Sequence, residues 1–456
     1  MLDVMKRIFH KFILLGVFFS LSGCADYFDI EDISQNQVLD SVTLDANTGN
    51  AKFKENWWHD YGSTELNSFV EEALKQNLTL KIAEARVKEA KAQARRYDSN
   101  RYPTVYLNYY SSRTNSSSGV RSYESYGFKP SYEVDLWGAN YSLYKSYENG
   151  AIAQEYMAKS AAMTLISEVV STWLQIKFGQ QQSRILHEQL ALYQSLLQYQ
   201  VNNFKAGAMV DQDILNNQNQ VNKYHTKIYQ NSIRVDGLKI ELEYLLGRGP
   251  NKNISISDDE MPKVVKLPRK GLSSELIYDR PDIVSAWYSL KASNWSLAST
   301  KLQMLPTFNI AITFSDAALS SMLGNWTSIA NNVAFTAMDW GRDLDGVDKS
   351  KAAFERMLSF YVDTVYKAVV DVRNQLIKNE HLIEQIAWSK KQLKVSKQQY
   401  KEAVFNAENG GNVIDVVYKK INVKNNELML LNEQEQLNLY RVALYNALGG
   451  NIWTKN

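Results

Sequence analysis

"RYPTVYLNYY", Arg101 to Tyr110, has a counterpart in "MLPTFNIAIT", Met304 to Thr313. In each, a Pro-Thr pair opens a run with apolar residues at every second position: Val105, Leu107 and Tyr109 in the first, Phe308, Ile310 and Ile312 in the second. Alternation of that kind is the period of a strand with one apolar face. Pro103 and Pro306 lie 203 residues apart, as do Gly138, closing "DLWG", and Gly341, closing "MDWG". Gly247, closing "EYLLG", and Gly449, closing "YNALG", lie 202 apart. Three landmarks spread over most of the chain keep one offset to within a residue, which marks an internal duplication.

Each repeat carries one break in an otherwise helical pattern. In the first, alternation returns in Tyr126, Phe128, Tyr132, Val134 and Leu136 after the turn-rich "SSRTNSSSGVRS", residues 111–122. In the second, Phe314 ends one run and Val333, Phe335 and Ala337 form the next, around "SDAALSSMLGN", residues 315–325. Strands of about ten residues cross an outer membrane when tilted. Trp137, Trp326 and Trp340 near strand ends suit an aromatic girdle or ordinary packing. Such a hairpin cannot stand alone in lipid, where unpaired edge groups find no water. Four strands are too few to close a barrel, so closure demands oligomerisation, and twelve strands from three chains are the smallest comfortable solution.

The flanking segments read as long helices. No proline falls between Pro130 and Pro250 or after Pro306, and helix interiors exclude proline for its missing N–H and its clash with the preceding turn. Leu186, Leu190, Tyr193, Leu197 and Phe204 follow a three-four spacing, as do Val221, Tyr224, Ile228, Val235, Leu238, Leu242 and Leu245, with Asn231 the polar member. Leu190 and Leu197 fall on Leu393 and Tyr400 under the repeat offset. These seams predict helices packed side by side as coiled coils. Between them "FKAGAMVDQD", residues 204–213, turns the chain, with Gly207 suited to a helix stop. Gly410-Gly411 reads as the matching turn. The stretch from Gly138 to Phe204 predicts one helix of about 100 Å at about 1.5 Å per residue.

The only cysteine is Cys24. Before it stand Lys6, Arg7 and Lys11, the apolar run Phe12 to Leu21, then Ser22 and Gly23. That is the layout of a secretory signal, and the run is too short to span a bilayer as a helix. Met5 precedes the basic stretch and is an alternative start to Met1. Leu21-Ser22-Gly23-Cys24 resembles the bacterial lipobox, in which the cysteine is acylated and becomes the first mature residue; Ala25 after it points to the outer membrane. A plain signal with an incidental cysteine is the alternative.

Composition argues against catalysis and nucleic-acid binding. Fifty-one basic residues oppose 49 acidic ones, so no basic surface is implied. Of the five histidines, none pairs with another at metal-ligand spacing, and no phosphate-cradling glycine loop or nucleophile elbow appears. The eleven methionines are scattered. "SDDE", residues 257–260, lacks the spacing of a calcium loop and reads as a solvated loop. No enzyme, cofactor or metal is expected.

The chain resembles the TolC-like outer-membrane efflux factors, in particular the NodT-type lipoproteins. The resemblance rests on the lipobox, on Trp57 to Gln93, on the Pro-Thr strand starts, on "DLWG" and "DWG", and on the "LLG" and "ALG" helix ends. It implies a mainly α, α+β fold, in which a long α-helical coiled-coil barrel continues into a membrane β-barrel completed by a homotrimer. It further implies a passive exit duct in the outer membrane, a periplasmic adaptor at the helix turns (Gly207, Gly410, Gly411), and an inner-membrane pump. A type I protein-secretion duct and a pore-less, lipid-anchored coiled-coil scaffold are the alternatives. The expected organisation is a signal at 1–23, a lipidated extension at 24–62, repeats at 63–249 and 273–450 joined by a linker at 250–272, and a tail at 451–456. The family's aspartate ring at the constriction falls on Asp415; its second aspartate, three residues on, is Tyr418 here. With Asp213 these are the candidate gate residues, each aspartate in a first helical turn, where the helix dipole alone favours a carboxylate. Lys419 and Lys420 are placed to offset the charge locally.

Overall fold

The long helices of the two halves of the chain agree in length. The structure, a computed structural model, describes residues 56–205, 211–249, 254–257, 261–262, 279–315, 328–334 and 339–449. A 3-10 turn (Trp57–Tyr61) is followed by α1 (Thr64–Gln76), α2 (Leu78–Ser99), β1 (Thr104–Ser116), β2 (Gly119–Val134), α3 (Ala139–Lys205) and α4 (Asp211–Leu245). Then come α5 (Pro281–Leu302), β3 (Thr307–Ser315), β4 (Ser328–Ala334), α6 (Arg342–Glu408) and α7 (Val413–Ala447). α3 and α6 have 67 residues each, α4 and α7 have 35 each, and α2 and α5 have 22 each. At about 1.5 Å per residue, α3 and α6 are each about 100 Å long.

The two hairpins join into one antiparallel sheet of order β1-β2-β3-β4. Thr104 pairs with Ser131 in the first hairpin and Thr307 with Ala334 in the second, so the hairpins share one register under the repeat offset. β2 and β3 close the gap through Phe128↔Phe314 and Tyr132↔Ile310. The turn-rich stretch 111–122 is strand except for Ser117 and Ser118, because the ladder runs out to Ser116↔Gly119. Its polar side chains do not interrupt a ladder made by the backbone, and Gly119, at φ 120°, takes the reversal. Leu136 lies beyond β2 and is exposed. Phe335, Ala337 and Trp326 fall outside the described residues.

The chain divides into two compact units that do not follow the repeats. One holds residues 85–156 and 282–364; the other holds 44–84, 157–281 and 365–456. In the first, three serine hydroxyls join α3 to α5 by donating to backbone carbonyls: Ser299 to Ala139 (2.9 Å), Ser146 to Ala292 (2.7 Å) and Ser285 to Ala153 (2.8 Å). Small residues at every contact let the two backbones approach. Beside them the rings of Tyr97 and Tyr147 stack at 3.8 Å, and Trp287 packs on the fully buried Tyr361.

The second unit is held by one large apolar cluster and by coiled-coil seams. Trp57, Trp58, Leu66, Val70, Val169, Trp173, Leu242 and Leu246 belong to the cluster, and Trp57 stacks on Tyr445 at 4.7 Å. Leu186, Leu190, Val221, Tyr224 and Ile228 form the α3–α4 seam, with Tyr193 and Leu197 packed on it. Phe204, read as part of that seam, is exposed, since it sits in the last turn of α3. Part of the stretch read as a linker is core: Ile254 and Ile256 are buried. The Ile254 amide donates to Glu243 (2.9 Å), the Ser257 amide to Glu65 (2.9 Å), and Lys177 Nζ donates to the Ser257 carbonyl (2.8 Å).

Candidate functional site

Two parts of the molecule carry features that a stable fold alone does not require. The first is the sheet. Directly opposed residues share a face, and the register places Leu107 opposite Phe128, Tyr109 opposite Tyr126, Tyr132 opposite Ile310, and Phe308 opposite Val333. That face is apolar at the strand ends nearest the helices and polar farther out, where Ser111 lies opposite Glu124 and Arg113 opposite Ser122; Asn331 also falls on it, opposite Ile310. The other carries Asn108, Arg121, Lys129, Glu133, Asn309 and Asn332. The apolar face is uncovered: Leu107 is 84% exposed and Val333 62%. An apolar face open to water would be costly, and among the described residues β1 and β4 pair on one side only. Among the described residues, no helix is long and apolar enough to cross a membrane.

The chain leaves the sheet at two equivalent corners. The Trp137 indole N–H donates to the Pro306 carbonyl at 2.8 Å, which ties the exit of β2 to the start of β3. Asp135 receives the amides of Asn140 (3.0 Å) and Tyr141 (2.8 Å), and so caps α3. Asp339 does the same for α6, accepting from the amides of Gly341 (3.1 Å) and Asp343 (2.8 Å). The amide of Asp343 is the chief cause that holds the Asp339 carboxyl below its usual range. The "DLWG" and "DWG" motifs are thus helix caps with a tryptophan at the sheet boundary.

The second part is the turn between α6 and α7. Gly410 has φ 92°, and the Gly411 amide donates to the Asn406 carbonyl at 2.9 Å. A Cβ on Gly411 would come within 2.7 Å of that carbonyl oxygen, so both glycines are required by the turn. Asn412 caps α7, its Oδ1 accepting the Ile414 amide at 2.9 Å. Asp415 follows in the first turn and is exposed, and Tyr418 is 50% exposed. Lys420 lies over the Tyr400 ring at 4.6 Å. Asp213 is exposed in the first turn of α4, and no described contact joins it to Asp415. Gly207 and Cys24 lie outside the described residues.

Behind this turn, polar contacts join the two helix pairs. Lys424 on α7 reaches Glu188 on α3 (2.5 Å) and Glu427 (2.8 Å), and Lys397 on α6 also reaches Glu427 (3.1 Å). Burial works against both charges, yet the partners prevail: the Lys424 pKa is raised and the Glu427 pKa lowered. Gln189 donates to Asn425 (2.8 Å), as the Tyr224 hydroxyl does (3.4 Å), and burial pushes the Tyr224 phenol up to about 12. Periodicity did not reveal this junction, because its members sit beside the apolar seams and share no motif.

A four-stranded antiparallel sheet is thus joined in sequence to two helices of 67 residues each. Residues 69–248 match the family described as Outer membrane efflux protein. The chain is 24% identical to the pyoverdine export outer membrane protein OpmQ of Pseudomonas aeruginosa, with 89% of this chain and 90% of that protein covered. It is 23% identical to the probable outer membrane lipoprotein SilC of Salmonella typhimurium, over 78% of this chain and 77% of that protein. Its fold matches the outer membrane channel CmeC of Campylobacter jejuni with a TM-score of 0.78 at 21% identity, covering 92% of this chain and 93% of that one. The chain is thus similar to outer membrane efflux proteins, with the family match spanning residues 69–248.

Proposed function

We propose that three copies of this chain form the outer-membrane exit duct of an efflux system, each contributing four strands to a twelve-stranded barrel. The observation that carries the reading is the sheet: one face carries apolar residues on all four strands, and among the described residues neither outer strand has a second neighbour. In hydrocarbon those edges need partners, and identical chains supply them. The same feature speaks against a pore-less scaffold, which has no use for a lipid-facing sheet. The helices line a periplasmic tunnel, and an adaptor that docks at the helix turns delivers solutes from an inner-membrane pump. Cys24 carries the lipid anchor and is the first mature residue. The repeat bounds at 63–249 and 273–450 describe how the duct is encoded in each chain.

At the tunnel end, Asp415 and Tyr418 form the closed state. Threefold symmetry brings three exposed carboxylates towards one axis, where they attract cations, while the Tyr418 rings narrow the passage. Conductance in a planar bilayer tests the duct. Wild-type protein is expected to open small, cation-preferring channels, and Asp415→Ala with Tyr418→Ala to enlarge the conductance and lose that preference. Protein that inserts without conducting would remove the reading. For the anchor, Cys24→Ser is expected to abolish palmitate labelling while leaving the barrel able to insert.

A further inference from the structure

We propose that β4 of one copy pairs with β1 of the next in a fixed register, Val333 opposite Tyr109 and Asn331 opposite Ser111. In the same joint the Trp340 indole N–H donates to the Pro103 carbonyl of that neighbour. The inference rests on the trimer reading above and adds its geometry.

Shifting the first hairpin by 203 residues turns Thr104↔Ser131 into Thr307↔Ala334, which is the observed pairing of the second hairpin. The offset therefore carries strand register across the repeats. The β2–β3 joint is where strands of the two repeats pair with each other, through Phe128↔Phe314 and Tyr132↔Ile310. Moving β2 forward to β4 and β3 back to β1 by the same offset converts the first of these pairs into Asn331↔Ser111. The ladder then sets Val333 opposite Tyr109. Both residues belong to the apolar face by the register within the chain, and both are uncovered, at 62% and 59% exposed. The joint thus keeps Val333 and Tyr109 on the same face, next to the pair Asn331 and Ser111. A slip of one residue would turn it inside out.

The corner supplies an independent observation. Trp137 closes the β2–β3 joint by donating to the carbonyl of Pro306, the residue before β3. Its counterpart Trp340 stands at the exit of β4, where the described residues offer no fifth strand. Trp340 is 91% exposed and has a left-handed backbone, φ 60°, an unusual conformation for so bulky a residue. Pro103, the counterpart of Pro306, stands at the start of β1 on the open edge. A second copy would place its Pro103 carbonyl where Trp340 needs an acceptor, and would cover the indole.

The test is cysteine cross-linking in the full-length, membrane-extracted protein. Tyr109→Cys with Val333→Cys is expected to give covalent trimers on mild oxidation, and neither single variant should, which controls for Cys24. Leu107→Cys with Val333→Cys keeps the same face two residues out of register, and should cross-link about ten-fold less, since diagonal neighbours lie beyond disulfide reach. A trimer in which the Leu107 pair links as well as the Tyr109 pair would overturn the register while leaving the trimer intact. A wild-type protein that is monomeric in mild detergent would remove the trimer reading itself. Trp340→Phe is expected to lower the temperature at which trimers separate without changing the helix signal in circular dichroism. Trimers as heat-resistant as wild type would overturn the indole contact.

Discussion

At one level of the long helices, the two repeats solve the same packing problem in different ways. In the first, Gly179 of α3 faces α4 so closely that a Cβ there would come within 2.5 Å of the Val235 Cγ2. The seam's polar residue, Asn231, donates to the Gly179 carbonyl at 2.9 Å. In the second repeat the counterparts of Gly179 and Val235 are Leu382 and Leu437, which pack with Ile386. The counterpart of Asn231 is Glu433, which cannot donate and instead accepts from Gln385 and Ser389, both at 2.9 Å. A glycine brings backbone within reach of a side-chain amide; a leucine keeps it away, so side chains must supply the donors. The helices kept their lengths through duplication while the means of packing changed.

The helix ends show the reverse, different residues performing one task. Asn77 Nδ2 donates to the Leu245 carbonyl at 2.9 Å, ending α4, and its Oδ1 accepts the Leu80 amide at 2.9 Å, starting α2. In the second repeat Arg280 donates to the Ala447 carbonyl at 2.5 Å, ending α7. Beside each lies a glycine with a left-handed backbone, Gly247 at φ 72° and Gly449 at φ 76°. A Cβ on Gly247 would meet the Gln76 carbonyl oxygen at 2.4 Å, whereas on Gly449 it would first meet the Arg280 Cγ at 2.7 Å. Backbone cannot withdraw as a side chain can.

If the two packings are not interchangeable, exchanging their key residue is the most damaging change. Gly179→Leu is expected to cost about 3 kcal/mol or more through overpacking against Val235. A thermal unfolding midpoint near that of wild type would show that α3 and α4 can separate to the spacing of the second pair. Next, Gly247→Ala is expected to cost about 3 kcal/mol and Gly449→Ala about 1 to 2 kcal/mol, from left-handed strain plus the clash each meets. Equal midpoints for the two variants would break the distinction between backbone and side-chain neighbours. Asn77→Ala, which strands two buried backbone groups, should cost about 2 kcal/mol, and Arg280→Ala about 1 kcal/mol.

The smallest expected effect concerns charge. Glu427 has its pKa lowered from 4.5 in the folded state by Lys424 and Lys397, despite burial. A depressed carboxylate contributes stability that is present above its unfolded value and is lost as pH falls through the lower folded value. Glu427→Gln should therefore cost about 1 kcal/mol at pH 7 and less at pH 3, which pH-dependent melting would read. The first repeat has Asn222 and His225 where the second has Lys424 and Glu427, so this ion pair belongs to the second repeat.

Much of this protein was legible in its chain. Period two at Val105, Leu107 and Tyr109, and period three-four through Leu186, Leu190 and Tyr193, are set by neighbours in sequence, so strands and helices could be read locally. Proline placement gave the helices their extent, and the glycines at 138, 341, 247 and 449 gave the duplication its offset. Asp415 and Tyr418 are proposed gate residues that come from the family resemblance, and they follow a turn whose glycines announce it. Tertiary structure alone decided that the hairpins join through β2 and β3, that residues 254–257 enter the core, and that Lys424 meets Glu188. It also assigned one task to Asn77 and Arg280, each reaching a helix end about 170 residues away. Such contacts depend on how helices are rotated and spaced against one another. A hydrophobic period says which face is inward, but only the packed neighbours determine what that face meets.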